Sequence, residues 1–358
     1  MNGEALQPCL FRVDHKVAIP PDSSLNAGQV LVQPVYLSVD TNMYFRMDGQ
    51  WETKFNAGLL PLNQVVRGFG LGIVLASQHP QYESGERVMG WEFPWASYGV
   101  VNGGPALIPL RDQLASLPAQ WFMGVLSMHS FSAWYGLTKL ALAKPGETVL
   151  VSAATSGVGQ MVVQLAGIMG LKVVAVVGST TKVNLLKKNR YVTRVFNYYA
   201  MSDRSEALSQ YFPDGVDIYF DCVSGAGIDN VLTKLNRGGR IIMGGLMSDN
   251  AICRQSSQGV KKLTLISATN STILGFNVKN IYQAFYGEFV RDMLQLIDRK
   301  KVSFNIDLVC GIENGPQALS GVMAGKNLGK CIIQVSADES LEEETTYGHH
   351  YSSRFPTR

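Results

Sequence analysis

The amino-acid sequence predicts an α/β protein with two domains, one rich in short β-strands and the other built on a doubly wound parallel sheet. At 358 residues the chain exceeds the usual size of a single core. Residues 1–120 carry short apolar runs separated by Gly, Pro and Asn, which is typical of a β-rich domain. From residue 147 onwards strand and helix patterns alternate, and the strands are continuous apolar runs, as buried parallel strands are.

Each part of the chain supplies its elements in order. The β-rich part has apolar runs at 30–39, 71–75 and 87–91. The second part has strands at 148–153, 172–177, 216–221 and 240–244, and helices at 157–170, 182–189 and 281–298. Residues 301–335 return to short strands, and the simplest arrangement folds them onto the β-rich part. We therefore place one domain at 1–122 and 306–337, the other at 123–305, and an unfolded tail at 338–358.

Composition and charge argue against several classes of function. With 46% hydrophobic and 16% charged residues, the chain can bury a large core. The formal charge is only +3 and the basic pairs are scattered, so we expect no nucleic-acid partner. No apolar run reaches the roughly 18 residues that a membrane helix needs, and no signal-peptide pattern opens the chain. We therefore expect a cytoplasmic protein with no membrane partner.

The cysteines give no sign of a metal site or a disulfide framework. They are odd in number, far apart and without a C-x-x-C pair: Cys9, Cys222, Cys253, Cys310 and Cys331. Reduced thiols in a cytosolic protein fit this pattern. The five histidines do not complete a ligand set, so we expect no bound metal.

A glycine-rich turn follows the strand at 148–153 and begins the next helix. It reads AATSGVG at 153–159, and strand, turn, helix and second strand fit within about 30 residues, the length of a dinucleotide-binding βαβ unit. Free amides and the helix dipole at such a turn favour an anion, so we expect a pyrophosphate at Ser156, Gly157, Val158 and Gly159. The glycine pattern is degenerate, and a purely structural turn is the alternative.

The end of the second strand favours a phosphorylated cofactor. NAD-binding proteins place a carboxylate there for the ribose 2′-hydroxyl, whereas this chain reads VGSTTK at 177–182. The Ser179 hydroxyl and the Lys182 ammonium suit a 2′-phosphate through charge-assisted hydrogen bonds. NADPH is therefore the expected cofactor, and the alternative for Lys182 is a solvated residue at a helix start.

Several motifs in order resemble one family. They are YLSVD (36–40), GVLSMHSFSAWYGL (124–137), KPGETVLVSAATSGVG (144–159), FNY (196–198), GVDIYFD (215–221), GF (275–276), GIENGPQAL (311–319) and GKNLGK (325–330). Together they resemble the zinc-free enone reductases of the medium-chain dehydrogenase/reductase superfamily, over roughly residues 30–335. The resemblance implies a GroES-like β-rich domain, a Rossmann domain, NADPH as hydride donor and a homodimer.

Matched position by position, the resemblance assigns further cofactor contacts. It places the 2′-phosphate at Lys182, the adenosine end at Tyr198 and the nicotinamide side at Asn327. It also places Cys222 and Gly245 beside the cofactor. Cys222 is a candidate redox thiol, although a buried cysteine is more often a packing residue.

For catalysis, the family tyrosine that follows the GF motif aligns with Tyr282. Tyr282 would donate a hydrogen bond to the carbonyl oxygen on which enolate charge develops. The alternative is an ordinary aromatic residue on a helix face. The Tyr44 hydroxyl, or water, is a second candidate proton donor.

The sequence departs from the family's patterns at four places. The pocket tyrosine is replaced by Asn42, a phosphate-turn glycine by Ser156, the asparagine after the fourth strand by Cys222, and a loop tyrosine by Asn250. The zinc-dependent relatives differ more, because they need a Cys near Asp40 and a His-Glu pair near Gly68 that this chain lacks.

The expected activity is the NADPH-dependent reduction of the carbon–carbon double bond of an α,β-unsaturated ketone or aldehyde. Two alternatives remain: an NADPH:quinone reductase, and a nucleotide-binding protein with weakened catalysis and a structural or regulatory role. Five large aromatic residues suggest an apolar entrance to the pocket that binds the enone or quinone: Trp51, Phe55, Trp91, Phe93 and Trp95. The alternative is that they form part of the core at the interface between the domains.

Overall fold

The computed structural model describes residues 7–14, 18–48, 60–201, 204–225, 227–245 and 259–337. These residues divide into two compact units. Residues 125–304 form the first, called here the nucleotide unit, and residues 7–124 with 305–337 form the second, called the β-rich unit. The predicted tail at 338–358 lies outside the described residues.

The elements of both units follow one another along the chain. The strands are β1 Gln29–Ser38, β2 Arg67–Ser77, β3 Arg87–Pro94, β4 Gly99–Asn102, β5 Leu107–Pro109, β6 Thr148–Val151, β7 Lys172–Val177, β8 Arg194–Asn197, β9 Val216–Asp221, β10 Leu235–Met243, β11 Thr272–Gly275, β12 Ile306–Cys310 and β13 Lys330–Gln334. The helices are α1 Asn42–Asp48, α2 Ala119–Met123, α3 Met128–Tyr135, α4 Gly157–Ile168, α5 Thr180–Leu186, α6 Arg204–Tyr211, α7 Gly227–Leu232, α8 Thr264–Thr269, α9 Val278–Asp298 and α10 Gly315–Met323.

The β-rich unit contains a seven-stranded sheet. Its strand order is β12-β13-β1-β2-β3-β5, with β4 paired to β1. The pairing is antiparallel except between β12 and β13. β1 has neighbours on both edges and is almost wholly buried, which explains its largely apolar sequence.

The nucleotide unit contains a six-stranded parallel sheet in the order β11-β10-β9-β6-β7-β8. The chain moves outwards from β6 through β7 to β8, and then returns to β9 on the other side of β6. Such a reversal opens a crevice at the carboxyl ends of the two central strands, where doubly wound sheets bind their ligands. The predicted α/β class, with a GroES-like β-rich domain and a doubly wound Rossmann domain, is confirmed.

Several predicted element bounds shift in the structure. The helix expected at 182–189 begins at Thr180, because the Ser179 side chain accepts a hydrogen bond from the Lys182 amide and caps the first turn. The helix expected from residue 281 begins at Val278, because Asn277 caps it in the same way. Strand β8 was not predicted, since four residues between turns carry little periodic signal.

Candidate nucleotide-binding site

The predicted glycine turn lies between the carboxyl end of β6 and the start of α4. The turn opens with Ala153 in the left-handed region at φ 45°. The Ser156 amide donates to the Ala153 carbonyl oxygen at 2.8 Å, and the Ser156 hydroxyl accepts from the Gly159 amide at 3.1 Å. The amides of Gly157 and Val158 occupy the first turn of the helix and have no intrahelical acceptor. The turn therefore presents backbone donors and a helix dipole to an anion.

Gly159 has a packing role in this turn. A Cβ atom at this position would lie 2.3 Å from the Ala153 carbonyl oxygen and 2.8 Å from Ala154 Cα. Only glycine lets the helix approach the preceding turn this closely, which is the role of the third glycine in the dinucleotide fingerprint.

The turn after β7 holds the two residues predicted to contact a 2′-phosphate. Ser179 caps α5, and Lys182 stands in the first turn of that helix, half-buried. β7 pairs with β6 in parallel, so both turns lie at the same edge of the sheet. Between Val177 and Lys182 no carboxylate is present to bind a ribose hydroxyl.

A buried carboxylate organises the loop after β9, and sequence reasoning gave it no role. Asp221 Oδ1 accepts four hydrogen bonds of 2.9–3.0 Å, from Ser152 Oγ, the Tyr219 hydroxyl and the amides of Val223 and Ser224. Asp221 Oδ2 is buried and has no hydrogen-bond partner among the described residues. A buried aspartate at the end of a largely apolar strand was the available signal, since a buried charge needs donors.

The Asp221 carboxylate fixes the crevice between β6 and β9. Ser152, which follows β6, donates to Asp221 and accepts from the Cys222 amide at 2.8 Å. Burial and the negative charge of Asp221 together raise the pKa of the Tyr219 phenol well above its usual value. These hydrogen bonds join the carboxyl ends of β6 and β9. The hydroxyl groups of Ser152 and Tyr219 that donate them are uncharged.

Cys222 and Gly245 lie where β9 and β10 end. A Cβ atom at Gly245 would be 2.6 Å from the Cys222 carbonyl oxygen, so the two backbones are in close contact. The Ser224 hydroxyl donates to the Gly245 carbonyl at 2.9 Å. The Cys222 thiol is buried, and burial together with Asp221 raises its pKa, which favours the packing interpretation over a redox thiol.

Tyr198 follows β8 at the same edge of the sheet. Its side chain is half-buried, and its hydroxyl would lie 3.8 Å from a Cβ atom at Gly227, where α7 begins. The structure therefore brings together the predicted residues of the nucleotide unit that follow β6, β7, β8, β9 and β10.

Tyr282 lies on α9 within an aromatic cluster of the nucleotide unit. It is 2% exposed, and its ring centroid lies 4.8 Å from that of Phe131 and 4.9 Å from that of Tyr286. Burial, with a smaller contribution from Tyr286, raises the pKa of the Tyr282 phenol well above its usual value. The phenol is therefore protonated at neutral pH and able to donate a hydrogen bond.

Tyr44 and Asn327 belong to the β-rich unit. Tyr44 lies on α1 and is buried. The Asn327 side-chain amide donates to the Gly329 carbonyl oxygen at 2.7 Å, within the turn that leads to β13. The aromatic residues predicted at the pocket entrance differ in exposure. Phe93 is fully buried and is a core residue, Trp91 is almost fully buried, and Trp95 is partly exposed. Trp51, Phe55 and Asn250 lie outside the described residues.

Metal-binding clusters and membrane-spanning helices are both absent from the described part of the structure. In the described part of the chain, no group of three or more His, Cys, Asp or Glu side chains is placed to hold a metal ion. Among the helices that the structure describes, none is long and apolar enough to cross a membrane.

The sheet order and the glycine turn define a dinucleotide-binding α/β protein with a second, β-rich domain, and comparison with known proteins agrees. Residues 157–299 match the family model described as zinc-binding dehydrogenase, and residues 11–108 match the N-terminal domain of oxidoreductase. The chain is 34% identical to (+)-pulegone reductase of Mentha piperita, over 87% of this chain and 89% of that protein. It is 33% identical to the NADP(+)-dependent 2-alkenal reductase of Nicotiana tabacum, over 90% and 91%.

A solved structure supports the same conclusion. CurA from Vibrio vulnificus, crystallised in complex with NADPH, has a TM-score of 0.80 and 29% sequence identity, and the match covers 90% of this chain and 94% of CurA. The chain therefore belongs to the medium-chain dehydrogenase/reductase superfamily, in its zinc-free branch of enone reductases.

Proposed function

We propose that this protein uses NADPH to reduce the carbon–carbon double bond of an α,β-unsaturated ketone or aldehyde. The observation that carries the proposal is the turn after β7, where Ser179 and Lys182 stand and no carboxylate is present. A hydroxyl and an ammonium suit a ribose 2′-phosphate, whereas a carboxylate would repel it. The names of two relatives, a pulegone reductase and an NADP(+)-dependent 2-alkenal reductase, support the reaction class.

The residues present fit the cofactor. The Gly157 and Val158 amides would hold the pyrophosphate, with Gly159 allowing the close turn. Tyr198 would contact the adenosine end, and Asn327 the nicotinamide side. When bound, NADPH supplies the hydride that adds to the substrate's β-carbon.

Tyr282 is the proposed hydrogen-bond donor to the substrate's carbonyl oxygen. Its raised pKa keeps the phenol neutral, so that it can donate where enolate charge develops. Tyr44, also buried, is the second candidate. A donor of this kind stabilises the developing charge without a metal ion.

The decisive experiment measures NADPH consumption against a panel of enones, alkenals and quinones, with product analysis to identify the reduced bond. A saturated ketone or aldehyde as product supports the proposal. Turnover of quinones alone would favour a quinone reductase. NADPH binding without turnover of any of these compounds would favour a structural or regulatory protein.

We also propose that the protein is a cytoplasmic homodimer. Among the described strands, β11 lies at one edge of the parallel sheet, and its residue Ile273 is 38% exposed. Leu263, nearby in the chain, is 50% exposed. An edge strand with exposed apolar side chains is suited to pairing with a second copy. Light scattering after size exclusion tests this, and a monomeric wild type would contradict it.

A further inference from the structure

An exposed aromatic ring stands at the nucleotide-binding edge of the parallel sheet. Tyr199 directly follows Tyr198 and is 74% exposed. Its amide donates to Asn197 Oδ1 at 3.0 Å, which fixes the backbone of the short turn after β8. The ring is thus attached to an ordered backbone while most of its surface faces solvent.

The position of the Tyr199 ring follows from the pairing of β7 with β8. Val177 and Asn197 are paired in this parallel register, so the residues after them leave the sheet side by side. A Cβ atom at Gly178 would lie 3.2 Å from Tyr199 Cε2, so the ring lies against a residue that has no side chain. Gly178 immediately precedes Ser179, and the ring therefore borders the proposed 2′-phosphate contact.

The Tyr198 ring restricts the orientation of its neighbour. The two ring centroids are 5.6 Å apart with an interplanar angle of 77°, an edge-to-face arrangement. With Tyr198 on one side and Gly178 on the other, the Tyr199 ring keeps an exposed surface beside the ribose site.

We propose that Tyr199 is the platform on which the adenine of the cofactor stacks. This inference rests on the proposed NADPH function, because the ribose that carries the 2′-phosphate also carries the adenine. A base attached to a sugar at Ser179 and Lys182 lies beside this turn. Stacking on an aromatic ring recognises the base itself, while Lys182 recognises the phosphate. The two side chains therefore make separable contributions to binding.

Binding measurements with whole and partial cofactors test this inference. Removing the ring in Tyr199→Ala should weaken NADPH and NADH binding by the same factor, roughly tenfold. It should weaken 2′,5′-ADP binding similarly and leave reduced nicotinamide mononucleotide, which lacks the adenine, unaffected. Tyr199→Phe keeps the ring and should restore the affinity. Leu142→Ala is the control, since Leu142 is an apolar residue of the same unit that is 65% exposed.

Three outcomes would overturn the inference while leaving the proposed function intact. They are unchanged affinity in Tyr199→Ala, a loss restricted to NADPH, and failure of Tyr199→Phe to restore binding. Failure of the wild type to bind NADPH at all would instead overturn the proposed function. A thermal melt of each variant confirms folding, and the exposed position of Tyr199 predicts no change in Tm.

Discussion

Lys330 Nζ lies 2.8 Å from Asp40 Oδ1 in the β-rich unit, with the two side chains only 4% and 7% exposed. Lys330 also donates to the Val39 carbonyl oxygen at 2.6 Å, and the Ser38 hydroxyl donates to Asp40 Oδ2 at 2.7 Å. Lys330 begins β13 and Asp40 precedes α1. The pair therefore ties the turn that carries Asn327 to the segment that carries Tyr44.

Lys330→Met is expected to lower the free energy of unfolding by about 3–5 kcal/mol, because it leaves the Asp40 charge buried without its partner. Denaturant unfolding monitored by fluorescence measures this. The double variant Asp40→Asn, Lys330→Met should recover part of the loss. Lys326→Met, at an exposed position in the same turn, is the control and should change stability by less than about 0.5 kcal/mol. Equal effects at both lysines would contradict the importance of the buried pair.

Lys182→Glu is expected to weaken NADPH binding by about 10- to 100-fold while sparing NADH, because a charged hydrogen bond to the 2′-phosphate becomes a repulsion. Dissociation constants for both cofactors, from fluorescence titration, give the ratio. Lys187→Glu reverses an exposed charge at the other end of α5 and should leave the ratio unchanged. An equal loss for NADPH and NADH would discredit the assignment of Lys182.

Tyr282→Phe is expected to lower kcat for an enone by about 10²-fold, because it removes the proposed donor to the developing enolate. Tyr286→Phe is a matched control on the same helix. The Tyr286 hydroxyl is buried without a hydrogen-bond partner among the described residues, so its loss should cost neither turnover nor stability. Unchanged kcat in Tyr282→Phe would remove Tyr282 from the mechanism and direct attention to Tyr44.

Gly159→Ala is expected to destabilise the nucleotide unit by roughly 1–3 kcal/mol and to weaken cofactor binding, because the added Cβ would contact the Ala153 carbonyl oxygen at 2.3 Å. Gly287→Ala provides the comparison. Gly287 lies inside α9 with no atom within 4 Å of an added Cβ, so alanine should stabilise the protein by about 0.5–1 kcal/mol. Thermal melts with and without NADPH measure both effects, and a harmless Gly159→Ala would contradict the packing role.

The Cys222 thiol is expected to resist alkylation in the folded protein between pH 7 and 9. Its pKa is raised, so the reactive thiolate does not form in this range, and its burial also blocks access. Cys9 and Cys310 are exposed and serve as internal controls. Mass spectrometry after iodoacetamide treatment locates the labelled cysteines. Rapid labelling of Cys222 would restore it as a candidate redox residue.

The sequence by itself determined the features that depend on local chain order. The alternation of strands and helices predicts the parallel sheet, and the turn at 153–159 predicts where a pyrophosphate is expected. The lysine in place of an acid at 182 predicts the cofactor. The sequence alone can reveal these features because each pattern lies within about 30 consecutive residues.

Only the tertiary structure decided how distant residues combine. The Asp221 carboxylate accepts a hydrogen bond from Ser152, which follows β6 and lies 69 positions away in the chain. The Lys330–Asp40 pair joins residues 290 positions apart. The Tyr199 ring becomes a neighbour of Gly178 because β7 and β8 pair in one particular register. Burial and strand register arise only when separate segments pack together, so no local pattern in the sequence specifies them.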